Sequence, residues 1–333
     1  MVKVKELSTA PNSLKDINKW ADYIELLCMS SLDNIISSDE IYDKLYGDKS
    51  DDEEIDDESN LDIDEETPVS EIIDRRHSKI NDFFELLISR KSLYLDFYPF
   101  EVSSSPYYIK LNNKTSYKQY SYLGLLVSSN LDYLKNHSPH LTRSFEDNSM
   151  FVFKHMFPEN SKIEYFGKGN ERGAVFSANK LSDRIIQLSK ASNLPTSVIF
   201  NENKEEIDSS NTGDGGLDLI GWFDVFDKNS GKIVNLAQCA CGKDWFNKQF
   251  DLSEAKWDNY IHFTNPYIKT LFTPSSYRSY NGDWYKKIKI YDCIIVDRYR
   301  FLKALSKKEN SKVAQSNMII VEEFKNKNID YYS

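Results

Sequence analysis

Hydrophobic positions in the first hundred residues recur at spacings of three and four, the period of helices that turn one face inward. The stretch "LKDINKWADYIELLCMSSLDNIISSDEIYDKLYG" predicts short helices, and "SEIIDRRHSKINDFFELLISRKSLYL", with its Ser-x-x-Asp start, predicts a long one. The pattern changes at "YPFEVSSSPYYIKLNNKTSYKQYSYLGLLVSSNLDYLKN". Aromatic and β-branched runs broken by Ser, Asn and Pro there predict a strand or two and then a helix. Residues 1–138 are expected to form an amino-terminal region of mixed, mainly helical structure.

The second half is more regular. "LTRSFEDNSMFVFKHMFP" reads as a helix with Thr142 as a cap and Pro158 as its stop, followed by a short strand "KIEYFG" and a helix "NKLSDRIIQLSKASNLP". "PTSVIFN" is expected to be a strand, joined by a polar linker, "ENKEEIDSSNTGDGG", to a hairpin of "LDLIGWFDVF" and "KIVNLAQCA". Beyond it, "DWFNKQFDLSEAKWDNYI" reads as helix and "HFTNPYIKTLFTP" as a strand. "KKIKIYDCIIVDRYRFLKALSKK" reads as a strand passing into a helix. Strands interleaved with helices imply an α/β protein with a mixed sheet flanked by helices, and the second domain is expected to span 139–333.

Charge divides the chain differently. The formal net charge is −10. Residues 39–74 hold 17 acidic residues against Lys44 and Lys49, a local charge of −15, so the remainder carries +5. That acidic segment is too polar to order itself by burial and is expected to be a flexible, solvated arm, with competition against nucleic acid as a sharper alternative. The overall acidity does not exclude a phosphate-binding face, for residues 268–333 have 13 Lys or Arg against 7 Asp or Glu.

Four cysteines in 333 residues make no disulfide framework, and "CAC" lacks the paired spacing of a zinc site. Five scattered histidines offer no base to a nucleophile. No run approaches the roughly 18 apolar residues of a membrane span, and the first twenty residues lack the apolar core of a signal peptide. A cytoplasmic protein with reduced thiols and no membrane partner is the expectation.

Candidate chemistry concentrates in residues 211–245, "NTGDGGLDLIGWFDVFDKNSGKIVNLAQCACGKDW". Gly213, Gly215 and Gly216 allow a tight backbone before Asp218, yet they match neither a P-loop nor an EF-hand. Centring the hairpin turn near Asn229 sets Asp218 opposite Ala240. Asp218 and Gln238 then share one face as diagonal neighbours, about 7–8 Å apart, while Cys239 points away. A carboxylate and a carboxamide oxygen so placed are near enough to share one metal ion, provided no bulge interrupts the strand.

A helix bearing Phe145-Glu146, then "GDGGLDLIGW", then a hairpin into "AQCACGKDW" resembles the PD-(D/E)xK phosphodiesterase superfamily, and most of all its Mrr-type restriction endonuclease-like branch. The resemblance covers roughly 141–250 and implies a restriction-endonuclease-like fold. It implies that Asp218 and Gln238 hold Mg²⁺ (or Mn²⁺) with the Cys239 backbone carbonyl, and that Glu146 supports the site. The branch's Gln-x-Lys lysine is replaced by Ala240, so Lys243 or, one helical turn on, Lys248 is the substitute cation. The implied activity is metal-dependent hydrolysis of phosphodiester bonds, in DNA before RNA, in defence against foreign DNA and with a possible protein partner in a defence complex. Lys248, Arg298 and Arg300 are candidates for contacts to phosphate. The alternative, which Ala240 favours, is a non-catalytic nuclease-fold module that binds nucleic acid or a partner protein within a complex.

Overall fold

The computed structural model of the chain describes residues 1–5, 7, 10–11, 13–47, 68–167, 174–210, 213–227, 229–305 and 307–332. They form a mixed α/β protein of two units. The first comprises Met1–Leu141, Ser275–Tyr285 and Ser306–Ser333; the second comprises Thr142–Pro274 and Lys286–Leu305. Among the described residues no helix is long and apolar enough to cross a membrane.

The first unit is built on helices α1 (Ile17–Ser30), α2 (Ser38–Tyr46), α3 (Val69–Tyr94) and α4 (Tyr117–Ser128). Helices α2 and α4 both start with a complete capping box, Ser37 with Glu40 and Ser116 with Gln119. Strands β2 (Ile35–Ser37), β3 (Phe100–Ser104) and β4 (Tyr107–Leu111) make an antiparallel sheet in the order β2-β4-β3. The interior is polar as well as apolar. Arg90 on α3 pairs with Asp22 at 2.7 Å and Glu25 at 3.0 Å, both on α1. Tyr98 and Tyr122 donate to the Glu25 carboxylate at 2.9 Å, and Ser129 donates to Asp22 at 3.0 Å. Glu25 and Arg90 are almost wholly buried, so each charge there depends on its partners.

Residues 306–333 were expected in the second domain. They pack instead in the first unit, where β10 (Ile329–Tyr332) pairs in parallel with β1 (Val2–Lys5). Helices α11 (Lys307–Ser316) and α12 (Met318–Lys325) precede β10. The Ser121 hydroxyl of α4 donates to the Asn310 carbonyl at 2.9 Å, and Asn317 donates to the Gly124 carbonyl at 3.2 Å. The acidic segment is also bounded more narrowly than expected. Asp39–Tyr46 and Val69–Asp74 lie in α2 and α3, while 48–67 lies outside the described residues.

The second unit holds a five-stranded sheet of order β5-β6-β7-β8-β9: β5 (Lys162–Tyr165), β6 (Leu219–Phe223), β7 (Ile233–Cys239), β8 (Ile268–Phe272) and β9 (Ile294–Val296). The first three strands are mutually antiparallel, and β7, β8 and β9 are parallel. Alternation along β6 and β7 sends Ile220, Trp222, Val234 and Leu236 to one face. There they pack on Leu181, Ile185 and Leu188 of α6 (Leu181–Ser192) and on Trp257 and Tyr260. The opposite face is aromatic. Phe145 and Phe153 of α5 (Ser138–Lys154) meet Phe301 and Phe272, and Phe157 lies over Gly221 so closely that a Cβ there would stand 2.4 Å from the ring.

Three local expectations change. Residues 198–202 form helix α7 (Val198–Glu202), not a strand, because the Ser197 hydroxyl caps Phe200 N at 3.0 Å and only Phe200 turns inward. The polar linker contains α8 (Lys204–Ser210). Residues 245–257 are a 3₁₀ helix (Trp245–Phe250) and the single turn α9 (Glu254–Trp257), and "KIK" at 287–289 is a further 3₁₀ turn. The expected final strand and helix are β9 and α10 (Arg298–Ala304).

Candidate active site

The register of β6 on β7 sets the geometry. Leu219 pairs with Ala237 and Phe223 with Ile233, so the hairpin centres one residue earlier than expected, and Asp218 bonds to the Ala237 backbone instead of facing Ala240. The loop achieves this with left-handed backbone at Val225, Phe226 and Gly231.

Asp218 itself lies just outside β6. Its N–H donates to the Ala237 carbonyl at 3.0 Å, its carbonyl accepts from Phe166 N at 2.8 Å, and its carboxylate Oδ2 accepts from Cys239 N at 2.7 Å. The side chain thus takes the place of a backbone acceptor at the end of the ladder. Leu217 joins Ile220 and Trp222 in one core cluster, so strand alternation does not extend back through Asp218 to Leu217. Asp218 and Gln238 are therefore not diagonal neighbours on a common face. The Asp218 carboxylate lies at the sheet's end, beside the backbone of β7.

Gln238 is 6% exposed. Its Nε2 donates to Asp251 Oδ2 at 2.9 Å, and Lys248 Nζ reaches the same oxygen at 3.1 Å. A carboxylate only accepts, so this contact fixes which end of the Gln238 amide carries oxygen. The Oε1 atom is then a buried acceptor with no hydrogen-bond donor among the described residues. An acceptor in that state costs on the order of 1–3 kcal/mol unless a donor or a cation satisfies it.

Glu146 is half-buried on α5. Burial, together with the charges of Glu146 and Asp218, holds the Cys239 and Cys241 thiols well above the ordinary cysteine range, so neither is a ready nucleophile. Both thiols therefore feel the charge of Glu146 as well as that of Asp218. Among the described residues no group of three or more His, Cys, Asp or Glu side chains is gathered for a metal ion.

The cations separate. Lys243 is exposed and makes none of the side-chain hydrogen bonds or ion pairs found among the described residues, whereas Lys248 is joined to Gln238 through Asp251. Arg298 is wholly buried with Nε donating to the Pro274 carbonyl at 2.9 Å, so it is structural and cannot meet a phosphate at the surface. Arg300 is exposed while its guanidinium also donates to the Ile295 carbonyl at 2.9 Å.

Two residues were not singled out in the sequence. Asp251 organises Gln238 and Lys248, and its only signal was the i, i+3 spacing from Lys248. Arg184 of α6 is buried, donates to the Gly213 carbonyl at 2.5 Å, and leaves Nε and Nη1 without a hydrogen-bond partner among the described residues. Burial lowers its pKa, and the carboxylates of Asp214 and Asp208 oppose that. Arg184 braces one end of the glycine loop and Asp251 the other. Gly216, at φ +81°, has no room for a Cβ, which would lie 2.7 Å from Asp251 Cβ.

Comparison of the chain with protein-family models, curated proteins and solved structures finds no match.

Proposed function

We propose that the second unit is a metal-dependent nuclease of the restriction-endonuclease-like type, hydrolysing phosphodiester bonds in DNA. The observation that carries this reading is that the Asp218 carboxylate accepts from Cys239 N, next to Gln238 at the end of β7, while Gln238 Oε1 is buried with no hydrogen-bond donor among the described residues. Two side-chain oxygens and the Cys239 carbonyl are hard donors, and the donor set fits a Mg²⁺ ion that keeps several of its waters. When bound, such an ion polarises a phosphoryl oxygen and lowers the pKa of a coordinated water.

The chain's own groups supply the rest. Asp251 holds the Gln238 amide so that its oxygen faces outward from that contact, and it tethers Lys248 in the same hydrogen-bonded group. Lys248 is the cation placed to offset charge developing on a phosphorane oxygen, in preference to Lys243. Glu146 contributes negative charge from the α5 side and favours a bound cation. Four free cysteines are consistent with action in a reducing cytoplasm. A role in defence against foreign DNA, alone or with a protein partner, is the biological extension of this reading.

The test is direct. Purified protein is incubated with plasmid, linear and single-stranded DNA and with RNA, each with Mg²⁺, Mn²⁺ or EDTA. Cutting that requires metal and disappears in Asp218→Ala, with circular dichroism unchanged, is the expected result. Binding without cutting would select the non-catalytic module, which the buried Ala240 in place of a lysine favours.

A further inference from the structure

The 3₁₀ helix Trp245–Phe250 and the segment 286–291 together present aromatic rings among lysines. Phe250 and Tyr291 are each 53% exposed, with ring centroids 5.7 Å apart, and Ile288, three residues before Tyr291, is 84% exposed. Lys289 Nζ lies 5.7 Å from the Phe246 ring. Residues 243–251 and 286–292 contain five lysines and three carboxylates, Asp244, Asp251 and Asp292, which is a net charge of +2.

These rings stand on a rigid mount. The buried Gln249 amide donates to the carbonyls of Phe246 (2.8 Å) and Lys289 (3.3 Å) and accepts from Tyr291 N at 3.0 Å. One side chain therefore clamps both segments, and the aromatic faces need no ordering when something binds them. Lys248 and Asp251, which belong to the candidate active site, flank Phe250 within four residues.

We propose that this face binds an unpaired strand of DNA, with bases stacking on Phe250 and Tyr291 and the lysines following the phosphates; it rests on the nuclease reading only for what happens to the strand afterwards. A duplex keeps its base faces stacked inside and offers such a surface only its backbone. A single strand offers a π-face at every base, and exposed aromatics embedded in positive charge are what it can use. A polar or anionic protein partner would use the lysines and leave the rings in water.

Fluorescence anisotropy in EDTA with labelled fifteen-residue oligothymidine, the same length of oligouridine and a fifteen-base-pair duplex tests this without cleavage. The expected result is tighter binding of oligothymidine than of the duplex. Phe250→Ala and Tyr291→Ala should each weaken single-strand binding by about tenfold, with duplex binding unchanged, and Phe250→Trp should restore it. Both rings are more than half exposed, so each variant's melting curve should match the parent's. Duplex binding as tight as single-strand binding would overturn the proposal, as would unchanged affinity after removal of both rings. Preference for oligouridine would overturn DNA as the ligand, and failure to bind any nucleic acid would leave the face to a protein. A Phe250→Ala protein that still cuts duplex DNA with Mg²⁺ would uphold the nuclease reading independently of this one.

Discussion

Polar side chains are buried in each unit, and Glu25 and Arg90 of the first are more fully hydrogen-bonded than Gln238 and Arg184 of the second. In the first, both oxygens of Glu25 accept from tyrosines, and Arg90 donates through both terminal nitrogens, leaving its Nε without a hydrogen-bond partner among the described residues. In the second, Gln238 keeps a buried oxygen and Arg184 keeps two buried nitrogens with no partner among the described residues. A nearly saturated network stabilises one arrangement and has little left to offer a ligand. An unsaturated one is less favourable by itself and has capacity in reserve.

The largest effect should come from breaking the nearly saturated network. Arg90→Met leaves Glu25 and Asp22 buried without their cation and should cost about 3–5 kcal/mol in urea unfolding, much of it regained when Glu25→Leu is added. If Arg90→Met alone is neutral, the two regions do not differ as described. In the unsaturated region the expected loss is of function. Lys248→Ala should lower cleavage turnover by about 10²-fold, near 2.7 kcal/mol, well beyond its effect on DNA affinity, while Lys243→Ala should not. The reverse pattern would move the cationic role to the loop.

Gly216→Ala sharpens the comparison by straining the glycine loop. A side chain at φ +81° that also meets Asp251 should destabilise by roughly 1–3 kcal/mol in thermal or urea unfolding and disturb Gln238 through the same contact. The smallest effect is on pH dependence. Burial, then the charge of Glu25, holds the Tyr98 hydroxyl well above its ordinary pKa of 10. The unfolded chain releases that proton above pH 10 and the folded chain keeps it, so stability falls as pH rises, by about 1.4 kcal/mol per unit for this residue. Tyr98→Phe should flatten the slope between pH 10 and 11, measured by urea unfolding, and an unchanged slope would place the alkaline sensitivity elsewhere.

Long periodic helices were legible in the sequence. The expected spans for α3, α5 and α6 coincide with the structure to within a few residues, because a buried stripe repeats over several turns. The residues at 196–200, "TSVIF", misled because their β-branched composition suggests a strand, whereas a single serine cap and one buried Phe200 suffice for a short helix. The hairpin was visible but its register was not. A nine-residue loop between Phe223 and Ile233 allows several pairings, and no local pattern shows that the Asp218 carboxylate accepts from Cys239 N. Of the site, Asp218, Gln238 and Lys248 were marked by motif and spacing. Asp251 and Arg184 act through contacts 13 and 29 residues away in sequence, which no local pattern carries.

The parallel pairing of β1 with β10 sets a timetable for synthesis. Val2–Lys5 leaves the ribosome early, and its partner Ile329–Tyr332 follows more than three hundred residues later, roughly 15–65 s at cellular elongation rates. Every strand of the second unit's sheet has been made by then, so that sheet can close while the first unit still lacks a strand. The amino-terminal strand must wait with an open edge, and translation speed or a chaperone that covers this edge should govern the yield of the folded protein.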